Sequence, residues 1–135
     1  MASSLTDEQK IATVRKMADA WGKKDWRACA DLLTENGAIH SMMKDAPMVG
    51  RDTFYEHMSA QSSPDKQAWL HIERIGVVGG AVVCERRDEI VVDGVRKFVP
   101  AVGILEFEGP LICLWREYFD RAQLLAAQGK TAIKS

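Results

Sequence analysis

A chain of 135 residues is the size of one domain, and a single domain over residues 1–135 is expected. Its 47% hydrophobic and 27% charged residues make the ordinary globular balance, which excludes a disordered or fibrous chain. A formal net charge of -1 provides no basic field to gather nucleic acid or an anionic membrane, and neither partner is expected. No apolar stretch approaches the ~20 residues of a membrane span. The opening MASSLTDEQK lacks the charged and then apolar layout of a secretory signal, so the expected location is the cytoplasm. Cys29, Cys84 and Cys113 are an odd number without C-x-x-C spacing. They read as small buried hydrophobes rather than as a disulfide framework or a metal site.

The first predicted element is a helix capped by Thr6, with Gln9 completing a capping box and Asp7 and Glu8 at the positive end of the helix dipole. Ile11, Val14, Met17, Ala18 and Trp21 recur at helical spacing, and Gly22 ends the run. A short helix follows from Asp25, with Trp26, Cys29, Ala30 and Leu33 as its buried stripe. Asn36-Gly37 reads as a turn, and residues 38–43 as a strand. Gly50-Arg51-Asp52 opens a third helix over 53–62, with Phe54, His57 and Met58 on its inner face. Beyond Pro64 the period changes. Residues 67–78, 81–92, 96–107 and 111–119 alternate as strands, separated by Gly79-Gly80, Asp93-Gly94 and Gly109-Pro110. Links this short join antiparallel neighbours, so the strands form a meander, followed by a short helix over 120–128. The expected fold is α+β: three N-terminal helices on a curved antiparallel sheet, a cone whose interior is an apolar pocket for a small molecule.

Charges on two strands break the apolar pattern. On 81–92, alternation puts Val83, Glu85, Arg87, Glu89 and Val91 on one face, where opposite charges alternate as on a solvated surface. The other face carries Val82, Cys84, Arg86, Asp88, Ile90 and Val92. If that face is interior, Arg86 and Asp88 are buried, which is costly unless they pair. A cross-strand ion-pair ladder on a wet face is the competing explanation. On the last strand Leu111, Cys113, Trp115, Glu117 and Phe119 share a face, so Glu117 is a lone carboxylate among large apolar groups. Ile112, Leu114 and Tyr118 fall on the opposite face, a patch suited to an isologous homodimer.

Two segments, Glu85-Arg86-Arg87-Asp88 and Trp115-Arg116-Glu117-Tyr118-Phe119-Asp120, together resemble the limonene-1,2-epoxide hydrolase family, with its E-R-x-D and W-R-D-Y-F-D motifs. Gly50-Arg51-Asp52 and Arg74-Ile75-Gly76 add to the likeness, which runs over residues 37–120. The resemblance implies the cone-shaped nuclear-transport-factor-2-like fold, shared with SnoaL-like proteins. It also implies a cofactor-free hydrolase that adds water to the epoxide of a small apolar substrate, giving a diol. Glu117 then matches the general base, Asp88 the general acid and Arg86 the arginine that bridges them.

Two positions depart from the family pattern. Glu stands where the family has Asp, which extends the base by a methylene. The family's water-positioning Tyr-x-Asn, counted back from Gly50, falls on His40 and Met42, with Ser41 facing away. His40 is the weak candidate for holding water. Met42, Phe54, Met58, Trp69 and Trp115 are the candidate pocket wall, with core packing as the alternative for each. The departures also admit an epoxide-opening cyclase or isomerase in the same pocket, or a non-catalytic binding domain.

Overall fold

The computed structural model describes residues 5–129. Helix α1 (Asp7–Gly22) starts as its sequence dictates. The Thr6 hydroxyl accepts the Gln9 N–H at 3.1 Å, and the Gln9 amide oxygen accepts the Thr6 N–H at 2.8 Å. Asp25 caps the short α2 (Trp26–Ala30) in the same manner, accepting the Ala28 N–H at 3.1 Å. Strands β1 (Leu33–Ser41) and β2 (Met48–Val49) lead to α3 (Arg51–Gln61). The meander follows as β3 (Lys66–Val78), β4 (Ala81–Val92), β5 (Val95–Glu108) and β6 (Leu111–Phe119), and α4 (Arg121–Ala127) ends the described chain. At the β4–β5 turn both Asp93 and Gly94 have positive φ, the signature of a two-residue primed turn.

The sheet order is β2-β1-β6-β5-β4-β3. The meander pairs are antiparallel, whereas β1 joins β6 in parallel, so the curved sheet is mixed rather than wholly antiparallel. Asn36-Gly37 is not a reversal. It lies within β1, where the pairing with β6 shifts between Leu33 and Ala38, so the chain bulges there and continues. A second irregularity lies on β6: Phe107 faces Ile112 and Glu106 faces Leu114, leaving Cys113 as the extra residue. This bulge resets the alternation. Ile112, expected on the outer face, is fully buried with Trp115.

Two apolar clusters hold the inner face. The larger joins Val14 and Met17 of α1, Phe54 of α3 and the sheet residues Leu33, Val82, Cys84, Leu105, Ile112 and Trp115. Trp21 is its aromatic hub, with ring centroids 5.2 Å from Trp26, 6.0 Å from Phe54 and 5.7 Å from Trp115. The smaller joins Ile90, Val99 and Ala127, with Phe119 and Leu124 against them, where α4 docks. On α3 the inner stripe is Phe54 and Met58, one turn apart, while His57 is exposed rather than inward. Among the described residues no helix is long and apolar enough to cross a membrane.

Candidate active site

Arg86, Asp88 and Glu117 lie in the seam between the two clusters. Along β4 the inner face runs Val82 and Cys84, then Arg86 and Asp88, then Ile90. Along β6 it runs Trp115, Glu117, Phe119. Alternation on these strands therefore resolves the choice left open by the sequence: the face is interior. Arg86 is only 3% exposed, while the Asp88 and Glu117 side chains keep 14% and 13%.

The arginine bridges the two carboxylates. Its Nε donates to Asp88 Oδ1 at 3.0 Å and its Nη2 to Asp88 Oδ2 at 2.8 Å. Nη1 donates to Glu117 Oε2 at 2.8 Å, and Nη2 also reaches Glu117 Oε1. Both contacts are bidentate, the geometry a planar guanidinium favours. The Trp115 indole N–H adds a 2.6 Å hydrogen bond to Glu117 Oε2, so the aromatic beside the carboxylate is also its donor. Between the strands of Arg86 and Glu117 runs β5, and Gly103 is the residue that pairs with Glu117. A Cβ there would stand 2.7 Å from Glu117 Oε2 and 2.9 Å from Arg86 Nη1, so only glycine leaves room for the bridge.

Burial and pairing set the charges. Burial pushes the Glu117 carboxyl up, and the neighbouring Arg86 charge and its hydrogen bonds pull it down; the outcome lies above the ordinary value. Burial opposes the charge on Arg86, yet the Asp88 hydrogen bond and the Glu117 charge outweigh it and hold the guanidinium ionised. Cys84, next along the inner face, has its thiol raised chiefly by burial, and burial pushes Cys29 to about 12. Neither is poised as a thiolate nucleophile.

The surroundings differ from expectation in three respects. First, the interior beside Arg86 is closely packed: the void bounded by Met17, Leu70, Ile72, Leu105 and Trp115 measures about 10 Å³. A wider open groove of about 550 Å³ lies on the other side of Ala18, Leu70 and Ile72, between α1 and β3. Second, Trp69 lines that outer groove. It pairs with Glu89 whereas Leu70 pairs with Asp88, so the register turns Leu70, not Trp69, toward the carboxylates. Phe54 and Met58 pack in the large cluster, and Met42 lies just beyond β1, its backbone N–H donating to the Glu117 carbonyl at 2.8 Å. Of the expected wall, Trp115 alone bounds the void beside Arg86.

Third, His40 and Ser41 exchange places. In the parallel register Ile39 lies beside Trp115, His40 beside Arg116 and Ser41 beside Glu117. Paired residues of parallel strands share a face, so Ser41 is inward and His40 outward, where its Nε2 meets the Lys44 carbonyl at 3.0 Å. Counting back from Gly50 assumes a fixed loop length and misassigns the face. Ile39 carried the correct signal, because an apolar residue turned inward brings Ser41 inward with it.

A curved six-stranded sheet with helices on its inner face, where an arginine bridges two carboxylates, defines the class: an α+β domain of nuclear-transport-factor-2-like fold. Residues 8–130 match the family model of the limonene-1,2-epoxide hydrolase catalytic domain, and the chain belongs to that family. A 51-residue stretch is 41% identical to epoxide hydrolase EphG of Mycobacterium tuberculosis. That match covers 38% of this chain and about a third (34%) of EphG. The structure of an LEH-like epoxide hydrolase from M. tuberculosis superposes with a TM-score of 0.79 at 21% identity, over 90% of each chain. An NTF2-like protein of unknown function from Cytophaga hutchinsonii gives 0.68 at 19%, over 92% of this chain and 98% of its own. At these identities the two structures speak for the fold.

Proposed function

We propose that the protein is a cofactor-independent epoxide hydrolase that adds water to a small apolar epoxide in one acid–base step. The observation that carries this reading is the double bidentate bridge of Arg86 to Asp88 and Glu117 in a site flanked by apolar clusters. Burial raises the Glu117 carboxyl and Arg86 faces both groups, so the two carboxyls can divide the roles of proton acceptor and proton donor. In the reactive form the acid is Asp88 and the base is the Glu117 carboxylate. Glu117 takes a proton from water as the water oxygen bonds to an epoxide carbon. The carbon–oxygen bond of the ring breaks, and Asp88 gives its proton to the departing oxygen. Water and epoxide become a vicinal diol, and transfer of the proton from Glu117 back to Asp88 restores the starting form. Arg86 contacts both groups, so a counter-charge is in place whichever one is ionised. General acid and base contributions of this kind are each about 10²–10⁴-fold.

The epoxide approaches the partly exposed edges of the two carboxylates, since the void behind Arg86 is too small for a substrate. Glu117→Gln and Asp88→Asn are expected to abolish diol formation across a panel of small apolar epoxides while retaining the wild-type circular dichroism spectrum. Full activity in either variant sinks the assignment. Turnover in ¹⁸O-labelled water separates hydrolysis from the alternatives, because a cyclase or isomerase puts no label in its product. We further propose a homodimer built on the outer sheet face and, from the three unpaired cysteines, a reducing cytoplasmic location.

A further inference from the structure

The open groove between α1 and β3 holds about 550 Å³, and none of Arg86, Asp88 and Glu117 lines it. Cavities that take small molecules span about 300–1,000 Å³. Its two walls run in opposite directions. Near the start of α1 the Lys10 ammonium donates to the Gly80 carbonyl at 2.9 Å, and at the helix end the Gly22 carbonyl accepts from the Gln67 amide at 2.6 Å. Trp69 therefore stands at the Gly22 end of the groove, and Ile72 lies toward Arg15.

The lining divides into an apolar floor and a charged flank. Leu70 and Ile72 pack on the large cluster and form the floor. A Cβ on Gly22 would lie 2.8 Å from Trp69 Cδ1, so the indole already rests against the helix end and needs little ordering to meet a ligand ring. Arg15, Asp19 and Lys23 recur at four-residue spacing along the flank of α1. Asp19 holds Lys23 at 3.0 Å and Glu89 meets His71 at 2.7 Å, whereas Arg15 makes no ion pair among the described residues. The lining thus leaves one guanidinium for one anion. Arg15 stands two helical turns before Gly22, about 10 Å along the axis, and Trp69 to Ile72 covers about 10 Å of strand.

We propose that this groove binds a monoanionic aromatic carboxylate of two-ring size. Arg15 takes the carboxylate through parallel N–H donors, and the rings lie across Leu70 toward the Trp69 indole. The site is separate from the acid–base cluster and does not depend on the epoxide reaction. It is nevertheless adjacent to that cluster, because Ala18, Leu70 and Ile72 also bound the void beside Arg86.

The test is calorimetric titration of the full chain with 2-naphthoate, its neutral isostere 2-naphthamide and acetate. The wild type is expected to bind 2-naphthoate at one site with a Kd of about 0.1–1 mM, the range for a ligand of about a dozen heavy atoms. Acetate, which lacks the rings, should bind at least about tenfold more weakly, and about 0.5 M NaCl should weaken 2-naphthoate. Arg15 is exposed, so Arg15→Gln should leave the fold intact. That variant should lose about 3–10-fold in affinity for 2-naphthoate and none for 2-naphthamide. Crystals soaked in 2-naphthoate should show the carboxylate on Arg15 and the rings beside Trp69. Equal wild-type affinity for 2-naphthoate and 2-naphthamide, or an unchanged Kd in Arg15→Gln, overturns the proposal. So does a ligand seated on Arg86, or no saturable binding below about 10 mM.

Discussion

In the proposed mechanism Glu117 acts as a carboxylate in surroundings that favour its acid form. Its pKa is raised by burial against the pull of Arg86, so the base is lost to protonation at a higher pH than an exposed glutamate would be. The acid limb of kcat/KM is therefore expected above the ordinary glutamate value of about 4.3, and a limb at or below it contradicts the role. The same shift affects stability. A carboxyl whose folded pKa exceeds its unfolded one binds protons more tightly when folded. Its contribution is complete below the unfolded value and is lost as pH rises through the folded value. Relative to Glu117→Gln, the wild type should gain Tm on acidification from neutral pH toward that lower bound. Gly103 tests the bridge from beneath. Its φ is not in the positive region, so Ala is tolerated by the backbone, but the added methyl meets Glu117 Oε2 and Arg86 Nη1. Both are side-chain ends that can move at modest cost to the fold. Gly103→Ala is expected to lose about 10²-fold in kcat/KM, from an ångström-scale displacement of the carboxylate, with Tm only slightly lowered. Unchanged activity would show that the bridge geometry does not matter.

At the scale of elements, regular stretches were legible and irregular ones were not. The capping box of α1 and the division of β4 into two faces followed from local rules, because a cap and an uninterrupted alternation need only neighbouring residues, whereas which face is interior depends on what packs against it. Ile112 and Ser41 did not, since each lies beyond an irregularity or a pairing decided by another strand. Cys113 looks like any strand residue until Glu106 and Phe107 are seen to skip it, and nothing in residues 33–41 announces a parallel partner 76–79 residues away. The outer groove was missed for the same reason: it exists because α1 ends on β3. There Gly22 accepts a 2.6 Å hydrogen bond from the Gln67 side-chain amide, and a Cβ on Gly22 would lie 2.8 Å from Trp69 Cδ1. Gly22→Ala must displace the indole or the helix end. The overpacking cost is about 1–3 kcal/mol, set against roughly 1 kcal/mol gained in helix propensity. A net fall in stability by denaturant unfolding is expected, and Trp69→Ala in the same background should relieve it. A stabilised Gly22→Ala would mean that the helix end is not packed against Trp69 in solution.

The whole molecule places its charges in a seam that two apolar clusters close from either side, and α4 belongs to only one of them. The sheet that supports this seam still has an outer face. Val83 pairs with Ile104, Val102 with Tyr118 and Glu106 with Leu114, so these side chains form one contiguous outer patch. Ion pairs of Arg116 with Glu106 and of Arg74 with Glu85 accompany it, and Tyr118 is 38% exposed. Ile112 is absent from this patch because the bulge at Cys113 turned it inward, so the proposed twofold interface rests on Ile104, Val102, Leu114 and Tyr118. Apolar side chains interleaved with internally paired charges, Arg116 beside Ile104 and Glu85 beside Val102, suit an isologous contact in which each patch meets its own copy. Sedimentation equilibrium is expected to return twice the 15.0 kDa chain mass. Ile104→Arg sets two like charges near the twofold axis and leaves the inner face untouched, so it should give a folded monomer. Because β6 carries Tyr118 on the outside and Glu117 on the inside, the interface would brace the strand that holds the base. The monomer should then show faster amide exchange along β6 than the wild type, and a wild type that sediments as a monomer overturns the interface.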